Sequence, residues 1–122
     1  MAKTTDRIKT MYEVQGQMLR AISHPVRLAI LDVLRDGEQC VCHMEANLGL
    51  RQAYISQHLM VLREAGLVAD RKDGWNVFYH VTRPDIFAAL DTVAAVSGRR
   101  TAAPRVPAED CPCPKCAVGA EK

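Results

Sequence analysis

The chain has 122 residues, of which 48% are apolar and 25% charged, with a net charge of +2. That composition belongs to one ordinary globular domain, small enough to gain from dimerisation, and its charge neither demands nor excludes a polyanionic partner. No apolar run approaches the roughly 18 residues of a membrane-spanning helix, and the N-terminus carries no apolar signal core, so a cytoplasmic protein with no membrane partner is expected. The five cysteines are an odd number, clustered as Cys40/Cys42 and Cys111/Cys113/Cys116. Such clustering favours metal or metalloid chemistry over a disulfide frame.

In chain order, Asp6 to Ile22 predicts a first helix, with Ile8, Met11, Val14, Met18, Leu19 and Ile22 roughly on one side. His24-Pro25 breaks it and starts a second helix, because proline suits the first helical position. From Val26 to Arg35 that helix is apolar nearly all round, its charges Arg27, Asp32 and Arg35 sharing an arc of about 140°. It is the expected core helix, stopped by Asp36-Gly37. Glu38 to Cys40 reads as a short connection, and Val41 to Leu48 as a two-turn helix ended by Gly49.

The run RQAYISQHLMVLREAG from Arg51 predicts the next helix. Ile55, Leu59 and Leu62 fall on one side, widened by Tyr54, Val61 and Ala65, while Gln52, Ser56, Gln57 and Arg63 lie opposite. Leu67 and Val68 then open a hairpin with Asp73-Gly74 as its turn signal, and Trp75 is expected to pack on the strand pair. Pro84 starts a last helix to about Val96. From Arg99 four prolines and few large apolar residues mark a flexible, cysteine-containing tail (99–122) outside a domain of residues 1–98.

Helix, glycine turn, helix, then a basic hairpin is the order of a winged helix-turn-helix, giving a mainly α fold of four helices, two strands and a fifth helix. Its partner would be double-stranded DNA. Gln52, Ser56 and Gln57 are the candidate readers of base edges, Arg51 and Tyr54 the contacts to phosphates or groove walls, and Arg71 and Lys72 the wing's phosphate contacts. The plainer alternative is a solvated helix face. His24, His43, His58 and His80 form no spaced set, and none is read as a metal ligand.

Cys40 and Cys42 stand at a helix start, where free N–H groups and the macrodipole favour thiolate, the form that binds thiophilic ions. Residues two apart in a helix point about 200° away from each other, so both sulfurs can grip one ion only if the backbone at Val41 is not helical. Chelation should therefore unwind or tilt the helix that props up the recognition helix. Trivalent arsenic or antimony suits two or three thiolates. Cadmium or lead would recruit more sulfurs, tetrahedral zinc wants four ligands, and an organoarsenical needs two. No permanent cofactor is expected. Three readings stand for Cys111, Cys113 and Cys116: a separate trigonal site, completion of the Cys40/Cys42 site, or a redox or scavenging tail.

The run CVCHMEANLGLRQAYISQHLMVLREAGLVADRKDGWNVFYHV, with SHPVRLAILDVL before it, resembles the ArsR/SmtB family of bacterial metal-sensing repressors, and most nearly its arsenic and cadmium/lead branch. The resemblance implies a homodimer, paired through its outer helices, that binds an inverted-repeat operator and releases this double-stranded operator DNA when metal binds. The third cysteine of some arsenic sensors falls at Glu45 here, and residues 1–39 hold none of the arm cysteines of cadmium/lead sensors. Asp85 and Asp91 on the last helix have no histidine beside them for the family's zinc or nickel site. One rival keeps the fold but is triggered by oxidation or persulfidation of the thiols. An enzyme is not expected, since no cofactor loop appears and no Cys-x-x-Cys starts a helix in a βαβ unit.

Overall fold

A computed structural model of the chain describes residues 4–98. The order is α1 (Thr4–Ile22), α2 (Pro25–Leu34), β1 (Gln39–Cys40), α3 (Val41–Leu48), α4 (Gln52–Glu64), β2 (Val68–Asp73), β3 (Asn76–Val81) and α5 (Ile86–Ser97). This is the mainly helical winged arrangement the sequence predicts. The tail with Cys111, Cys113 and Cys116 lies outside the described residues.

Local chemistry fixes most of the boundaries. Pro25 opens α2, and the His24 side chain caps it, Nδ1 accepting from Val26 N–H at 3.1 Å. Gly49 takes the left-handed conformation that ends α3 (φ 66°). The end of α4 is a full Schellman motif: Gly66 N–H donates to the Arg63 carbonyl and Leu67 N–H to the Leu62 carbonyl, both at 3.0 Å. Its companion apolar contact falls between two buried residues, Leu62 and Leu67.

The core sits among α2, α3 and α4. Ile30, Leu31, Val33, Met44, Ile55, Leu59 and Leu62 are essentially without solvent contact, and Ala21 and Ile22 close it from the end of α1. From α5, Ile86, Phe87 and Leu90 pack against it partly buried, and Arg35 ties α2 to α5 through both oxygens of Asp91 at 2.9 and 3.3 Å. Burying the stripe Ile55–Leu59–Leu62 orients α4, so Gln52 and Gln57 on its other side face solvent.

Two details of the wing differ from the sequence reading. Residues 38–40 are not merely a connection: Gln39 and Cys40 form a third strand, giving the sheet order β1-β3-β2. The turn also sits one residue later than the Asp73-Gly74 signal implies. Asp73 pairs with Asn76, leaving Gly74 (φ 62°) and Trp75 as the two loop residues. Glycine at the first loop position is what a type II′ turn requires. That register carries Trp75 to the apex, where it is 100% exposed rather than packed on the strands.

Candidate DNA interface and thiol site

The exposed arc of α4 carries the side chains expected to meet DNA. Arg51 is the N-cap residue, Gln52 opens the helix, and both, with Gln57, are exposed; Ser56 is half-buried. Tyr54 is partly exposed, its ring standing edge-on to that of His58 at 4.7 Å. One side of Tyr54 is thus seated while the other faces out.

The seating of α4 involves a cluster that sequence spacing does not reveal. The rings of His24 and His58 lie 4.3 Å apart. Between helices, Arg27 reaches the Ala21 carbonyl with Nε, the Arg20 carbonyl with Nη2, and His58 Nδ1 with Nη1 at 3.1 Å. A guanidinium only donates, so His58 Nδ1 must accept, and its proton sits on Nε2. That Nε2 is buried with no hydrogen-bond partner among the described residues. Burial first, then the nearby His24 and Arg27, hold the His58 pKa below its ordinary value. His58 is therefore a buried, neutral anchor of the recognition helix. His24 and His58 are 34 positions apart in the chain, and only the packing of α2 on α4 brings them together.

On the wing, Lys72 is exposed. Arg71 is engaged instead with Glu38: Nη2 lies 2.6 Å from Oε1 and Nε 3.1 Å from Oε2. The guanidinium also lies 4.9 Å from the centre of the Phe78 ring and 3.9 Å from Asp73. Hydrogen bonding to Glu38 raises its pKa above the usual arginine value.

Cys40 and Cys42 straddle the junction of β1 and α3. Cys40 is the N-cap of α3, with extended backbone (φ −83°, ψ 161°), and its Sγ accepts from His43 N–H at 3.3 Å. It is 2% exposed; Cys42, inside the first turn, is half-buried. Neither is in a disulfide among the described residues. Among the described residues no group of three or more His, Cys, Asp or Glu side chains gathers into a metal site. The carboxylates near α5 are engaged by arginines, Asp85 by Arg83 and Asp91 by Arg35.

A helix-turn-helix with an exposed polar face on its second helix, followed by a hairpin that a short strand ahead of it completes into a three-stranded sheet, defines a winged helix DNA-binding protein. Residues 24–70 match the family model described as bacterial regulatory protein, arsR family. A regulator of Mycobacterium tuberculosis (strain CDC 1551 / Oshkosh), the uncharacterized HTH-type transcriptional regulator MT0088, is 33% identical over 90 residues, spanning 73% of this chain and 79% of that protein. The solved transcriptional repressor BigR of Xylella fastidiosa is 30% identical with a TM-score of 0.66, over 77% of this chain and 96% of that one. The homodimeric winged helix-turn-helix DNA-binding domain of Mb0332 from Mycobacterium bovis, a possible ArsR-family regulator, gives a TM-score of 0.69 at 28% identity, over 80% and 91% of the two chains. The chain belongs to the arsR family of bacterial regulatory proteins, and is a transcriptional regulator rather than an enzyme. No helix among the described residues is long and apolar enough to cross a membrane.

Proposed function

We propose that the chain is a homodimeric repressor that binds an inverted-repeat operator and releases it when trivalent arsenic or antimony binds Cys40 and Cys42. Gln52, Ser56 and Gln57 read base edges in the major groove, while Arg51, Tyr54 and Lys72 contact the backbone or groove walls. BigR is a repressor and the Mb0332 domain a homodimer, which supports both parts of the reading for this chain.

The observation that carries the inducer assignment is the position of Cys40 as the cap of α3. An ion shared with Cys42 needs the Cys40 sulfur, and that sulfur is the acceptor for His43 N–H. Drawing that sulfur toward Cys42 turns it away from His43 N–H, and the lost cap leaves a first-turn N–H unmatched, which favours unwinding at Val41. Helix α3 packs directly on α4, so the loss reaches the DNA-reading face. Two thiolates satisfy an organoarsenical; a third for arsenite or antimonite comes from Cys111, Cys113 or Cys116. Cadmium or lead would need more of them.

Operator release measured with arsenite, antimonite, cadmium, lead and zinc, on the full chain and on Cys40→Ser/Cys42→Ser, tests this. Serine is itself a good N-cap, so the variant keeps α3 while losing the thiolates. Arsenite should weaken operator binding by about 5- to 150-fold in the unaltered chain and leave the double variant unmoved. Equal release by both proteins at the same dose would sink the assignment. Release by peroxide or polysulfide but not by arsenite would put a thiol-oxidation trigger in its place.

A further inference from the structure

The third strand puts the thiol segment and the wing on one rung. Cys40 of β1 pairs with Phe78 of β3, and Phe78 pairs in turn with Arg71 of β2. Two residues before the thiol, Glu38 grips the Arg71 guanidinium through both carboxylate oxygens, and that guanidinium also lies over the Phe78 ring. Strand β1 has just two paired positions, Gln39 with Tyr79 and Cys40 with Phe78. A ladder so short is withdrawn at small cost when Cys40 is drawn elsewhere.

We propose that Glu38 and Arg71 form a brace that makes the wing a second output of the thiol site. Loading Cys40 and Cys42 pulls β1 off β3, the brace opens, and the wing goes slack as α3 loses its cap. The inference rests on the thiol-sensing reading above, and it assigns Arg71 the role of a positioning residue rather than a phosphate contact. Arg71 and Lys72 are both exposed, and with Arg71 engaged by Glu38 the DNA contact of the wing falls to Lys72.

Operator affinity of pair variants separates a brace from simple charge. Glu38→Gln removes a negative charge, which by itself strengthens binding to a polyanion. The brace demands the opposite, binding weaker by roughly two- to fivefold, the span expected of a partly exposed ion pair. The exchange Glu38→Arg with Arg71→Glu should restore affinity, whereas a phosphate-contacting Arg71 would leave the exchanged protein weak. Equal or tighter binding by Glu38→Gln, or no rescue by the exchange, overturns the proposal.

The second readout needs no DNA. Trp75 is the single tryptophan of the chain and stands fully exposed at the wing apex. Its emission anisotropy should fall when arsenite is added to the unaltered protein, and stay constant in Cys40→Ser/Cys42→Ser. A silent Trp75 in protein whose Cys40 and Cys42 carry arsenic by mass analysis overturns the wing output. Absence of arsenic from those residues removes the sensing reading, and this output with it.

Discussion

The inner and outer helices of this protein are finished to different degrees. Helices α2, α3 and α4 bury Ile30, Leu31, Met44, Ile55, Leu59 and Leu62 completely within one chain. Helix α5 has no buried residue, and α1, among its described side chains, buries only its last turn, Ala21 and Ile22. Met11, Tyr12, Val14 and Leu19 on α1 and Val93 and Val96 on α5 remain exposed, Val96 at 85%. The half built of α2, α3 and α4 is complete in a single chain, whereas the outer half exposes apolar side chains suited to a second copy. Stability and assembly are thereby assigned to different residues.

That division can be broken from the inside or from the outside. Leu59→Ala, which empties a fully buried position under the recognition helix, should lower unfolding free energy by roughly 2–5 kcal/mol in denaturant titration. A loss below about 1 kcal/mol would mean that the inner half is not the folding core. Leu19→Glu acts from outside. Its side chain is 61% exposed, so the fold should survive by circular dichroism while sedimentation shows monomer. Operator affinity should then drop by about 100-fold or more, as the second half-site is no longer tethered to the first. A dimer with unchanged affinity would show that α1 does not form the interface.

The smallest effect is a pH dependence that belongs to the inner half. The folded chain holds His58 neutral, with its pKa below that of an unfolded histidine, near 6.5. As pH falls through that value the unfolded chain takes up the proton first, so folding stability is lost on acidification until the folded pKa is reached. His58→Gln keeps an acceptor for Arg27 without titrating. Its denaturation midpoint should fall less between pH 7 and pH 5.5 than that of the unaltered chain, and superimposable pH profiles would remove His58 from the account.

Periodicity and punctuation made the helices legible. Gly49 and Gly66 end helices where they stand, and the stripe Ile55–Leu59–Leu62 already tells which face of α4 is left exposed. The site was less legible where partners lie far apart in the chain. Strand β1 is two residues long and exists through its pairing with β3, so residues 39–40 carry no periodic signal of their own. The same holds for His24 with His58 and for Glu38 with Arg71, pairs made by packing and by strand register. Trp75 misled because aromatic residues near strands usually pack; a turn displaced by one position sends it to the apex instead.

The wing is also closed at its root. Thr82 N–H donates to the Leu67 carbonyl at 2.9 Å and its hydroxyl to the Gly66 carbonyl at 2.6 Å, so the chain leaves the hairpin where it entered. Residues 67–82 therefore form a stitched loop whose length is independent of where α4 and α5 lie. Lengthening or shortening it by whole cross-strand pairs would change its reach without moving either helix.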